Sequence, residues 1–350
     1  MVDTNDEPNL FLLPTMNDEL FLNFFNFDIN FEDQDKKKRK ESNHETLQNN
    51  FGYIPKHDYN GWFHTPISVP MLLRSKEGPT QLKQSIEHLY FHRKFKESLR
   101  LSLEFIEFIE KCNGYSDEKE IKPYNPNKLN NTREMLEIAS RSALQLGDYK
   151  LAVNCVNELI SNEPGHMRLR GIVYAKGGHY TDSIRWYIKY LQVRNNDYKV
   201  WKEMGYTFLY YYCHSAQLEF DFTADIVKTI QEILHNTHTT QLALICINRA
   251  YRLMLKIPWA TSISYINSRF AREKQEIEDL LNCLEKGGVN VQEIMSLFDS
   301  IKENKITGNI IAKNNLEGFD LETIRWILVE SKISVNEMYL MDQERLAKDL

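Results

Sequence analysis

Residues 147–211 read GDYKLAVNCVNELISNEPGHMRLRGIVYAKGGHYTDSIRWYIKYLQVRNNDYKVWKEMGYTFLYY, and one pattern is written there nearly twice. Met167, Gly171 and Tyr174 recur as Trp201, Gly205 and Phe208, each 34 residues further on. That is the period of the tetratricopeptide unit, a pair of antiparallel helices that buries its apolar face only by stacking on its neighbours. A glycine in a helix interior costs roughly 1 kcal/mol, so two at one register position imply a close approach of two helices. Ser183 is the small residue expected to face Gly171. Tyr180, Tyr187 and Tyr190 form the apolar stripe of the second helix. Upstream, Gly147-Asp148-Tyr149 with Ala152, Val156, Leu159 and Pro164 reads as the turn and second helix of the preceding unit, ended before the proline. Three matched offsets in register with that block set the repeat above an ordinary helical bundle.

Working outward, Leu82, Ile86, Leu89 and Tyr90, then Phe95, Leu99, Leu103, Ile106 and Ile109, have helical spacing. Phe95 takes the turn position of Tyr149 and Tyr180, giving a first, degenerate pair. Residues 113–131 form a polar insertion. Beyond Tyr212 the consensus is lost, yet helices are expected over 222–235, 240–256, 262–286, 291–302, 321–330 and 335–347, with Gly287-Gly288 closing the long one. His235 and His238 are expected to cap a helix end. The fold expected is all-α: a tetratricopeptide-like helical-repeat array, a right-handed superhelix, with a disordered acidic N-terminal tail and a helical C-terminal cap. Its parts are the tail at 1–60, a connector at 61–79 carrying Trp62 and Phe63, repeats at 80–220 and the extension at 221–350.

Charge is uneven along the chain. Residues 1–35 hold nine acids and no base, whereas residues 61–350 balance 37 acids with 37 bases. The net charge of −6 therefore belongs to the first 60 residues, and the repeat region has no global basic footprint for nucleic acid. Between Glu19 and Asp33 the acids alternate with Phe21, Phe24, Phe25, Phe27 and Phe31. Such a tract either presents anchors to a partner or docks on the protein's own helices. Lys36, Lys37, Lys38, Arg39 and Lys40 follow without a break and read as a one-part nuclear import signal, the rival being a solvated run that balances the acids. No apolar run approaches the ~20 residues that cross a bilayer. The five cysteines are scattered singly, as small core residues of a reducing compartment.

The order of blocks resembles a family of tetratricopeptide-repeat-like proteins that includes a human chromosome-eight open-reading-frame product. The likeness is carried by Trp62-Phe63, the pair around Phe95, the repeat with Trp201, Thr240-Gln241-Leu242, Arg269 and Gln275-Glu276-Ile277-Glu278-Asp279. It covers about Trp62 to Glu285 and implies the repeat fold without supplying site residues.

For chemistry, His88 and His92 lie four apart on one helix, but no third metal ligand joins them in the pattern. No phosphate loop or nucleophile elbow is present. The expectation is a non-catalytic scaffold or adaptor of nucleus and cytoplasm, with no cofactor and no metal, that binds a protein or peptide. Arg168, Lys176, Lys199, Lys202, Tyr206 and Tyr210 line the first-helix face and suit an acidic, aromatic segment. The alternative use of the cations is solubility alone. A nuclear adaptor recruiting transcriptional machinery through the acidic tail is the runner-up function, and an enzyme without a recognised motif the third. Glu137, Arg141 and Ile172 occupy places where a chaperone-tail clamp needs Lys and Asn.

Overall fold

Periodic apolar positions and paired turns become helical hairpins in the computed structural model, which describes Gly61 and residues 63–114, 132–217, 234–259, 262–292 and 319–331. These belong to a compact unit spanning 58–350; the unit spanning 1–57 lies outside the described residues, as do the expected helices at 222–235 and 291–302, but for residues 234–235 and 291–292, and all of the one at 335–347. Eleven α-helices and no strand occur among the described residues: α1 Val69–Leu73, α2 Gly78–Phe91, α3 Phe95–Gly114, α4 Arg133–Gln145, α5 Tyr149–Glu158, α6 Pro164–Lys176, α7 Tyr180–Val193, α8 Tyr198–Ser215, α9 His238–Lys256, α10 Ser264–Lys286 and α11 Leu321–Glu330.

Consecutive helices pack as hairpins: α2 on α3, α4 on α5, α6 on α7 and α8 on α9. The first helices also touch one another in sequence, α2 to α4, α4 to α6 and α6 to α8. Three of the hairpin turns share one geometry. Arg93, Gly147 and Gly178 take φ of 60°, 76° and 79°. The next residue then donates its N–H to the carbonyl five back, at 2.8, 3.0 and 2.8 Å, satisfying the frayed end of the first helix. An aromatic residue, Phe95, Tyr149 or Tyr180, opens the second helix each time.

The helix crossings repeat as well. Ser98 Oγ donates to Ile86 O at 3.1 Å and Ser183 Oγ donates to Gly171 O at 2.7 Å, twelve residues apart in both hairpins. A Cβ on Gly171 would fall 2.3 Å from the Tyr187 ring, and one on Gly205 would fall 2.5 Å from Ile247 Cδ1. The two glycines thus occupy equivalent crossings of successive hairpins. What differs is the wait for the second helix. Tyr187 follows Gly171 by 16 residues, whereas Ile247 follows Gly205 by 42. An insertion of 26 residues separates α8 from its partner, which is why the 34-residue consensus disappears after Tyr212 although the pairing persists.

Two cores share α6. Leu169 and Val173 face the cluster built from α1 to α5, while Met167 faces the one built from α7 to α11. The largest fully buried side chains include Trp201, Tyr187 and Phe208, each worth roughly 1.5–3 kcal/mol of burial. The α11 helix seats on α8 and α9, with Trp326 stacked on Trp201 at 5.8 Å and Phe319 against Phe208 at 5.3 Å. Cys155, Cys213, Cys246 and Cys283 are buried among these helices. Threonines rather than histidines cap α9: Thr237 and Thr240 form a reciprocal capping box, while His238 turns to Gln241 at 3.3 Å. No helix among the described residues is long and apolar enough to cross a membrane.

Candidate functional site

One register position of the first helices carries a polar side chain in every hairpin. Lys83, Glu137 and Arg168 each stand ten residues before the left-handed turn residue, and Lys202 precedes Gly205 as Arg168 precedes Gly171. The first three reach the next first helix, and Lys202 reaches α10. Lys83 Nζ lies 2.5 Å from Glu134, Glu137 Oε2 accepts from His166 Nε2 at 3.0 Å, and Arg168 Nη2 lies 2.5 Å from Glu203. Lys202 Nζ bonds both oxygens of Glu276 on α10 at 3.2 Å, and Tyr206 Oη donates to the same carboxylate at 2.8 Å. Because the position faces sideways, toward the neighbouring first helix, it forms rungs of a ladder along the stack.

The rungs differ in strength. Lys83 and Glu134 are well exposed, so their pair contributes little, within about 1 kcal/mol. Arg168 and Glu203 are only 24% exposed and pair through two bonds, Nε to Oε2 at 3.2 Å and Nη2 to Oε1 at 2.5 Å. Burial alone would lower the Arg168 pKa, but the Glu203 carboxylate more than offsets this and raises it. At the Glu137 rung burial alone would raise the carboxyl. The hydrogen bond from His166 and the Arg141 guanidinium, whose Nη2 donates at 2.7 Å, bring it down to about 2. His166 Nδ1 lies 2.7 Å from Ser161 Oγ, which ties the loop before α6 into the rung.

Of the six residues expected to line a peptide groove, the structure gathers all on neighbouring turns of α6 and α8. Arg168 is taken by Glu203, and Lys202 and Tyr206 by Glu276. The sequence pattern alone leaves these groups facing an open groove: it does not pair Arg168 with Glu203 on α8, and nothing in the repeat places Glu276 of α10 against α8. Tyr206 and Tyr210 stack with ring centroids 6.3 Å apart, and Lys176 Nζ sits 5.5 Å over the Tyr210 ring. Lys199 is half-buried, with its Nζ 6.0 Å from the Tyr198 ring centroid, and no carboxylate of the described residues pairs with it. Burial lowers its pKa, helped by Arg269 and Arg168 and opposed by Glu273 and Asp197.

Beside Glu203, the α10 helix supplies acids to this face. Glu273, 6% exposed, accepts from Tyr198 Oη and from Arg269 Nε at 3.0 Å, and these bonds lower its carboxyl against the raising effect of burial. Within the Gln275–Asp279 run, Glu276 turns to α8, buried Ile277 enters the core, and Glu278 accepts from Tyr251 Oη on α9 at 2.6 Å.

Sequence reading passed over Arg170. Its buried guanidinium donates to the carbonyls of Val156 at 3.2 Å and Ser161 at 3.2 Å and also to Leu159, closing the carboxyl end of α5. An arginine directly before the repeat glycine is the available signal.

At the other end of the array the connector brings a third histidine to the His88–His92 pair. His64 Nε2 lies 3.0 Å from His88 Nδ1, and the His88 and His92 rings are 4.2 Å apart. His64 Nδ1 also meets Ser85 Oγ at 2.7 Å beside a groove of about 470 Å³. Among the described residues no group of three or more His, Cys, Asp or Glu is arranged to hold a metal. The basic run Lys36–Lys40 and the acidic tail lie outside the described residues. Comparison with protein-family models, with curated proteins and with solved structures gave no match.

Proposed function

We propose that the hairpins continue as a tetratricopeptide-like right-handed superhelix, akin to the chromosome-eight open-reading-frame family, and that the protein is a non-catalytic scaffold. Its first-helix face binds a protein or peptide partner. The single observation that carries this reading is Lys199. Its half-buried ammonium has no carboxylate partner among the described residues, on a surface where the neighbouring rungs are neutralised. Leaving a partly desolvated charge unpaired is costly, and a carboxylate from a partner would relieve it. Lys176 and the stacked Tyr206–Tyr210 pair extend the same face with cation and aromatic surface.

The test is affinity capture on the intact chain, comparing wild type with the Lys176→Glu/Lys199→Glu double variant and with Val193→Ser as an exposed control. Arg168 and Lys202 are left intact because their loss would weaken the stack itself. Loss of a specific partner from the double variant alone supports the reading; an identical set of partners for all three overturns it.

The uninterrupted cations at Lys36–Lys40 support a second element, import to the nucleus with a pool in the cytoplasm. A Lys37→Ala/Lys38→Ala/Arg39→Ala fluorescent fusion should shift to the cytoplasm, and an unchanged distribution removes this element.

A further inference from the structure

The α10 helix changes character along its length. From Glu273 onward it buries Ile277, Leu280, Leu281 and Leu284, whereas no described residue from Ser262 to Arg272 is buried. That first stretch reads SISYINSRFAR, with two arginines and no acid. Ile263 and Tyr265 are 53% and 54% exposed. Tyr265 stands one turn before Arg269, and Ile266 one turn before Phe270, so they share stripes with these residues.

A chain of ring contacts leads from this stretch to Lys199. The Phe270 ring lies 5.1 Å from Trp259, and Trp259 lies 6.3 Å from Tyr198, over which Lys199 sits. Trp259 and Phe270 are themselves only partly buried. The result is a shelf of aromatic and aliphatic groups rimmed by Lys199 and Arg269.

We propose that this shelf docks an acidic amphipathic segment of a partner protein, its carboxylates meeting Lys199 and its apolar side chains covering Ile263, Tyr265, Trp259 and Phe270. The inference rests on the scaffold reading and names the partner's chemistry and the place of its apolar half. Charge complementarity selects the occupant. A basic segment would bring like charge against the half-buried Lys199 ammonium, and a purely apolar one would cover Lys199 without pairing it.

The experiment is fluorescence anisotropy of the full chain with a labelled helical peptide bearing glutamates on one face and leucine and phenylalanine on the other, beside a twin with lysine for every glutamate. The glutamate peptide should bind at least tenfold more tightly than the twin. Ile263→Ser and Tyr265→Ser, both exposed and therefore tolerant of change, should each weaken it about fivefold, and Lys199→Gln comparably, while Val193→Ser leaves it unaltered. Wild-type affinity in Ile263→Ser and Tyr265→Ser overturns the shelf even if Lys199→Gln loses binding, in which case the first-helix reading stands. Weakening by the shelf variants with Lys199→Gln unaffected overturns the Lys199 anchor instead. Equal binding of the twins, or no binding of either up to about 1 mM, overturns the proposal as a whole.

Discussion

Arg170 shows how much one side chain can organise. Three carbonyls at the end of α5 and in the following loop lie in protein rather than water, and one guanidinium satisfies them. Replacing it with methionine keeps the volume but strands the acceptors. We expect Arg170→Met to lose about 3 kcal/mol in urea unfolding, and Arg170→Lys to recover less than half, because an ammonium cannot fork to three carbonyls. Glu137 makes a pH prediction. Its carboxyl titrates near 2 when folded against an ordinary 4.5, so its stabilisation is complete above about pH 5 and is lost as pH falls toward 2. The difference amounts to about 3 kcal/mol. Measured between pH 6 and 3, wild type should lose stability that Glu137→Gln, already lacking the charge, does not lose.

Helix crossings carry the repeat, and they divide what was legible from what was not. Gly171 and Gly205 announced their crossings because a glycine has no other reason to recur at one place in two helices. The Phe95 turn was legible from its aromatic, though a left-handed arginine stands where the later turns have glycine. The second helix for Gly205 was read as a helix but not as its partner, since spacing cannot see across 26 inserted residues. Arg168 and Lys202 are legible as charges but not in direction: nothing in the spacing pairs Arg168 with Glu203 on the next first helix, and Glu276, which answers Lys202, comes from beyond the repeats. These crossings differ in stiffness. At Gly171 the obstacle is a tyrosine ring, at Gly205 the flexible end of an isoleucine. Gly171→Ala should cost about 2–3 kcal/mol and be largely relieved by Tyr187→Leu. Gly205→Ala should cost less than about 1 kcal/mol, as helix propensity offsets a small shift of Ile247. Equal losses at the two sites would contradict this account of the crossings.

At the scale of the whole described array, first helices are joined by side chains that sequence alone suggests are reserved for a ligand. A surface can serve both purposes if its rungs are filled from within and Lys199 is left to the partner. The assignment of Arg168 and Lys202 to the stack, and of Lys199 to recognition, is the claim on which the functional reading turns. A charge-reversal cycle at Arg168 and Glu203 tests it most directly, by equilibrium unfolding of Arg168→Glu, Glu203→Arg and the double variant. We predict that each single reversal loses about 2–4 kcal/mol and that the double variant regains at least half of the combined loss. Losses that simply add would contradict the ladder and return Arg168 to the pool of free groove cations.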